Sequence, residues 1–325
     1  MALHSPPNQN SNRFLYEFLS PKFWLMWLNI TLIAIVAKFP FKIALKIGAI
    51  LGWLSLKLSH RRRNICNVNL KLCFPNLNQK KLNELMRATF RENGIGLVEA
   101  AIAWTRKIEN LKAHVEIEGL HFLQAAQNEG NGVLLVGAHY STLEMGGALL
   151  AKFTDLDVTY RKHKNLLFDR FMHNSRSKHY TNVIERENVR KIARSLKSGN
   201  TVWFAPDQDY GKTHSVFAPF FGVEAATIKA TARFARLNNS PTLIFSHHRK
   251  KDNSGYILKI SPRLAGYPTD DEYSNARKIN RYLEARILEF PAQYLWLHRR
   301  FKTQPTSLSG EIYDTTNAIP QKINE

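Results

Sequence analysis

The run Gly132-Val133-Leu134-Leu135-Val136-Gly137 constrains the fold more than any other stretch of the chain. Its apolar residues do not alternate with polar ones, so a strand made from it is buried on both faces. That is the situation of an interior strand in an α/β sheet covered by helices. Glycine stops the strand, and a helix is expected to start near Ser141. His139 falls in the turn between them, with Glu144 five residues later. On one continuous helix, residues five apart diverge by about 140°. The two side chains can meet only if His139 lies outside the helix and Glu144 sits in its first turn. A neutral imidazole held by a carboxylate can take a proton from a hydroxyl, so His139 and Glu144 form a candidate general-base dyad. Ser141-Thr142-Leu143-Glu144 also reads as a capping box, in which Glu144 serves only to close the helix start.

The same strand-then-helix rhythm continues on both sides of this stretch. Candidate strands are 115–117, 133–136, 158–160, 201–205, 242–246 and 256–260, separated by helical stretches at 142–153, 166–178, 188–198, 226–237 and 275–290. Such alternation predicts an α/β domain with a central mixed sheet flanked by helices. Ahead of it, 64–112 is helical in tone, and Asn78 is a natural cap for a helix over 79–102. Domain boundaries are expected at 1–60 for an anchoring segment, 61–305 for the α/β domain and 306–325 for a polar tail.

The anchoring segment rests on residues 23–37, fifteen positions without a charge that open with Trp24 and Trp27. About 20 apolar residues span a bilayer, so this run spans only if tilted or extended outward. In 39–58, Lys38, Lys42 and Lys46 mark one helical face while Ile43, Leu45, Ile47, Ile50 and Leu51 fill much of the rest, a pattern suited to the headgroup plane. Residues 1–63 hold nine Lys/Arg against one acid, Glu17, and the cluster Arg61-Arg62-Arg63 follows the apolar run. The positive-inside rule therefore keeps everything downstream in the cytoplasm. A hairpin of soluble core helices with solvated lysines fits the same residues.

The whole 325-residue chain carries a formal charge of +20. Such a field attracts polyanions: nucleic acid, anionic membrane or an acidic carrier protein. Cys66 and Cys73 are expected to be buried thiols, and no metal-ligand spacing is present. Further motifs lie at strand ends. Asp207-Gln208-Asp209 follows a strand and reads as a cation-binding pair, as an Asx-turn, or as the fixing of a basic cleft wall by Asp207. Arg161 ends another strand, where its planar fork suits phosphate. Pro219-Phe220-Phe221-Gly222 breaks the chain before a helix that Thr227 could begin. His247-His248-Arg249-Lys250-Lys251 leads into a turn and is expected to be a solvated hairpin. Tyr294-Leu295-Trp296-Leu297-His298-Arg299-Arg300-Phe301-Lys302 interleaves aromatics with cations, suiting either nucleic acid or a membrane interface.

Taken together these motifs are recognisable. His139-Tyr140-Ser141-Thr142-Leu143-Glu144 resembles the H-x4-D/E signature of the lysophospholipid acyltransferase superfamily. Tyr160-Arg161, the segment from Ala205 to Gly211, Pro219-Phe220-Phe221-Gly222 and the Gln293-to-Lys302 segment follow in an order similar to that of the late acyltransferases of bacterial lipid A biosynthesis. His60-Arg61-Arg62-Arg63-Asn64 and the Asn69-to-Pro75 segment extend the resemblance to about residues 20–305. Glu144 stands where the wider superfamily usually has aspartate.

The resemblance implies transfer of a fatty acyl chain from acyl carrier protein to a hydroxyl of a lipid A precursor, at the cytoplasmic face of the inner membrane. His139 would be the base, Glu144 its partner, and Arg161, Asp207 and Asp209 would line the acceptor pocket. Amides at the start of the helix at Thr142 are candidate donors to the oxyanion. No metal, no cofactor and no nucleic-acid partner are implied. An acyl-thioester hydrolase using the same dyad with water as acceptor is the alternative. Arg61, Arg62, Arg63, Arg299, Arg300 and Lys302 are the expected steering patch for the acidic carrier.

Overall fold

The computed structural model describes residues 18–107, 114–305 and 312–313. Helices come first: α1 (Trp24–Lys38), α2 (Phe41–Leu58), α3 (His60–Cys73) and α4 (Gln79–Thr105). Pro40 separates the first two, and Asn78 caps the last by accepting from the Lys81 amide at 2.9 Å. α4 is 27 residues long, about 40 Å, and packs against α1, α2, α3 and α6. Its contact with α2 is backbone on backbone. A Cβ added at Gly94 would lie 2.3 Å from the Gly52 amide, and one at Gly52 would lie 2.2 Å from the Phe90 carbonyl, so side chains larger than hydrogen are excluded there.

Strands and helices then alternate as β1 (Val115–Glu118), α5 (Leu120–Asn128), β2 (Val133–Gly137), α6 (Leu143–Leu150), β3 (Asp157–Tyr160), α7 (Leu166–Arg176), β4 (Asn182–Glu185), α8 (Val189–Lys197) and β5 (Thr201–Phe204). A hairpin, β6 (Ser215–Phe220) and β7 (Val223–Ile228), precedes α9 (Ala230–Leu237), β8 (Thr242–Arg249), β9 (Tyr256–Ile260) and α10 (Glu272–Glu289). The seven-stranded sheet runs in the order β1-β9-β8-β2-β5-β3-β4. Only the β8–β9 pairing is antiparallel, so the sheet is mixed, as expected. Every residue of β2 is buried, and its side chains divide by the two-residue period. Leu134 and Val136 join the core on the α3, α9 and α10 side, while Val133 and Leu135 join the one on the α4, α6 and α7 side.

All six expected strands form, and β4, β6 and β7 are added to them. The helix expected from residue 226 starts at Ala230, because 223–228 is taken by β7. Phe221 and Gly222, with φ of 53° and 74°, make the tight turn of the β6–β7 hairpin instead of breaking the chain before a helix. The second correction concerns the 247–251 run. It does lie in a hairpin, but His247, His248 and Arg249 are buried at the end of β8. Arg249 is kept there by Glu99 at 2.8 Å and by Glu92, both on α4.

Residues 1–12 and most of the expected polar tail lie outside the described residues. Of that tail, Tyr313 is buried, its hydroxyl donating to Asn69 Oδ1 at 2.7 Å and accepting from the Phe301 amide at 3.0 Å. Both cysteines are free and buried, and burial pushes the Cys66 thiol up.

Candidate active site

β2 and β5 are adjacent and parallel, with Val136 opposite Phe204. Three residues beyond each of those positions stand His139 and Asp207, so sheet register alone brings them side by side. Asp207 Oδ1 accepts from His139 Nδ1 at 2.7 Å, and Oδ2 accepts from the His139 amide at 2.9 Å. The carboxylate is sealed, at 1% side-chain exposure, whereas the His139 ring is 23% exposed. Burial opposes ionisation of Asp207. The His139 ring, its two hydrogen bonds and the nearby Arg300 outweigh that and bring the carboxyl down to about 2. With Nδ1 spent on Asp207, His139 Nε2 is the open nitrogen and has no partner among the described residues.

No hydrogen bond joins the His139 and Glu144 side chains among the described residues, and the carboxylate on His139 Nδ1 is that of Asp207, which the resemblance placed in the acceptor pocket. Glu144 accepts from Trp104 Nε1 at 2.9 Å and from Arg176 Nε at 3.1 Å, and a second Arg176 nitrogen completes a two-pronged pair. Burial would raise its pKa, but Arg176 and the indole hold it below the usual carboxylate range. The capping box does not form either. Thr142 is the N-cap residue of α6, and its hydroxyl is turned to His247, 2.9 Å from the carbonyl and 2.8 Å from Nδ1. His139, Glu144 and Arg176 still share the wall of a small pocket of about 50 Å³, floored by Trp203 and Ala205.

The backbone around His139 is held as firmly as its ring. Leu295 donates to the His139 carbonyl at 3.0 Å, and Ser141 donates to the Gln293 carbonyl at 2.7 Å. Gln293 in turn exchanges two bonds, 2.9 and 2.8 Å, with the backbone of Arg249. Behind the loop, Gly96 of α4 leaves no room for a Cβ, which would lie 2.3 Å from the Ser141 carbonyl. Of the amides at the start of α6, Ser141 and Leu143 are already bonded to carbonyls. That leaves the amides of Thr142, Glu144 and Met145 as the candidates for an oxyanion.

Asp209 closes an Asx-turn, accepting from Gly211 at 2.8 Å, and ties down Thr303 through its amide at 2.6 Å and hydroxyl at 2.8 Å. With Arg161 it lines a larger cavity of about 1470 Å³, which Arg61, Arg62, Arg299 and Lys302 also enter. Arg300 does not belong to that surface. It is buried, donating to the Ala226 carbonyl at 2.6 Å and to Thr227 Oγ1 at 3.0 Å. Arg176 and Trp104 were not singled out from the sequence, since they lack local motifs and their common partner Glu144 stands 32 and 40 residues away. Gln293 and His298 lie in the segment noted at 293–302, but their side-chain contacts with Arg249 and Asp209 are made only in the fold. No group of three or more His, Cys, Asp or Glu side chains with metal-site geometry occurs among the described residues.

Fold and site together define an α/β protein with a histidine–carboxylate pair at the strand ends of an open sheet, the arrangement in which imidazole serves as a base. The chain belongs to the bacterial lipid A biosynthesis acyltransferase family, whose model matches residues 11–303. It is 38% identical to the lipid A biosynthesis palmitoleoyltransferase of Escherichia coli K12 over 299 residues, 92% of this chain and 97% of that one. The lauroyltransferase of the same organism is 35% identical over 297 residues, 91% and 97% of the two chains. The myristoyltransferase is 23% identical over 312 residues, 94% and 95%.

Proposed function

We propose that this acyltransferase moves a fatty acyl chain from acyl carrier protein to a hydroxyl of a lipid A precursor, working at the cytoplasmic face of the inner membrane. The observation that carries the reading is the His139 ring, fixed through Nδ1 by the sealed Asp207 carboxylate with Nε2 left open. Nε2 takes the proton of the acceptor hydroxyl, and Asp207 stabilises the imidazolium that results. The alkoxide attacks the thioester carbonyl, the C–S bond breaks as the tetrahedral intermediate collapses, and the imidazolium returns its proton to the departing thiolate. Glu144, paired with Arg176, shapes the pocket beside the ring. Arg161 and Asp209 belong to the acceptor cavity, the first as an anion contact and the second by fixing its wall.

Membrane attachment is supported by Pro21–Lys38, which among the described residues is the helix long and apolar enough to cross a bilayer and is mostly unburied. The outer face of α2 adds a stripe of exposed Ile50, Leu54 and Leu58, to which Ile43 and Trp53 contribute. The test is reconstitution of the full chain in detergent with acyl carrier protein thioester and a lipid A precursor, products being weighed by mass spectrometry. An acceptor heavier by one acyl group is the expected product. Free fatty acid as the main product in the presence of acceptor would make the protein a hydrolase. Equal use of acyl-coenzyme A would remove the carrier from the reading.

A further inference from the structure

The 1470 Å³ cavity and a second hollow of about 530 Å³ have two lining residues in common, Arg62 and His298. Their chemistries differ. In the larger, Arg61, Arg62, Arg161, Arg299 and Lys302 carry no ion pair with a carboxylate among the described residues, while its acids Glu187 and Asp209 are bound to Arg186 and Thr303. Five cations converging from three parts of the chain outnumber the cavity's two carboxylates, Glu187, which also feels Arg161, and Asp209, and they repel one another until an anion enters. The smaller hollow, a trough between α2 and α4, is walled by Leu51, Phe90, Leu97, Leu295 and Leu297. Leu51 and Leu97 are 41% and 68% exposed, so the trough opens beside the apolar stripe of α2.

His298 stands where the two meet. The Asp209 amide donates to its Nε2 at 3.3 Å, so that nitrogen is unprotonated in the neutral ring and Nδ1 carries the hydrogen. Nδ1 has no partner among the described residues. Burial lowers the ring's pKa to about 4, further helped by the charge of His139 and Arg300 against Asp207 and Asp209, so the imidazole is neutral at physiological pH.

We propose that cavity and trough form one site for a single amphiphilic acceptor, its anionic head among the five cations and one hydrocarbon chain in the trough, and that His298 donates through Nδ1–H to the polar linkage joining head and chain. This rests on the acyltransfer reading above. The occupant is the acceptor, because its anionic head matches the cations of the cavity and a lipid in the bilayer meets the open side of the trough. His298 is thus a specificity residue that touches substrate without taking part in proton transfer.

The test uses the full chain in detergent, with the acceptor and the acyl carrier protein thioester varied separately. His298→Ala and His298→Gln should raise the KM for acceptor about three- to tenfold, the worth of one neutral hydrogen bond. The KM for donor and kcat should hold. His298→Asn, whose amide nitrogen falls near the place of Nδ1, should recover most of the loss. A shift in donor KM, a fall in kcat alone, or Gln matching Asn would overturn the assignment. A second measurement needs no turnover. The ¹⁵N spectrum of the His298 ring should show the Nδ1–H tautomer, and its resonance should move when a lipid A precursor in micelles is added without donor. The other tautomer, or an unmoved resonance, would also overturn it. Absence of acyl transfer by the wild-type protein would sink the proposed function, while the resonance would still decide this inference.

Discussion

Replacing Asp207 with Asn probes the pair at the centre of the mechanism. The amide nearly preserves shape, but the carboxylate accepts two hydrogen bonds from His139, at 2.7 and 2.9 Å, and an asparagine has one acceptor oxygen for them. Its NH₂ group would face a nitrogen that now carries hydrogen, so the ring turns to the tautomer with Nε2 protonated and unable to accept. The corresponding change in Ser-His-Asp enzymes lowers turnover about 10⁴-fold, and general bases as a class contribute about 10²–10⁴. We expect a kcat loss of about 10³ with acceptor KM nearly unchanged, read from thiol release by acyl carrier protein. The pH dependence of stability follows from the same contact. The folded Asp207 carboxyl lies at about 2, below its ordinary 3.8, so its contribution is complete above pH about 4 and fades as pH falls toward 2. The shift is worth roughly 2 kcal/mol. Urea unfolding at pH 7 and pH 3 should show this acid-sensitive part in the wild type and not in the variant. Retention of more than a tenth of wild-type kcat by Asp207→Asn would refute the pairing, as would an equal pH dependence in the two proteins.

Glu144 and Arg176 are the subject of a second expectation. Removing one member of a buried pair costs about 3–5 kcal/mol, so Glu144→Gln and Arg176→Met should each destabilise strongly, while the double variant should cost much less than their sum. Additive losses in a denaturation cycle would mean that the pair is not a unit. A third expectation concerns the membrane. Deleting residues 1–40 should leave a folded protein that still binds anionic vesicles through the exposed face of α2 but is released by alkaline carbonate, to which the full chain should resist. Release of both, or of neither, would place the anchor elsewhere.

Much of the fold was legible in local pattern. β2 could be read as an interior strand because five buried residues in a row leave no polar face. The cap at Asn78 and the Asx-turn at Asp209 are contacts between near neighbours, so side-chain type fixes them. β6 and β7 escaped notice because Pro219 and Gly222 look like breakers until the hairpin turn that uses Gly222 is seen. The run from His247 to Arg249 looked solvated because nothing local announces that Glu92 and Glu99, some 150 residues earlier, wait inside the core.

By itself, the sequence determined the strand-turn-helix units, the placement of His139 and Asp207 just past strand ends, and the apolar N-terminal helix. It left the role of Glu144 open between partner of His139 and helix cap, both suggested because Glu144 is near in sequence. Tertiary structure decided otherwise. The register of β2 on β5 carries an offset of 68 residues from Val136 and Phe204 to His139 and Asp207, and the same packing turns Glu144 toward Arg176 on α7. Which strands lie side by side is set by how helices cover both faces of the sheet, a property of the whole chain, and the His139–Asp207 pair exists only once that choice has been made.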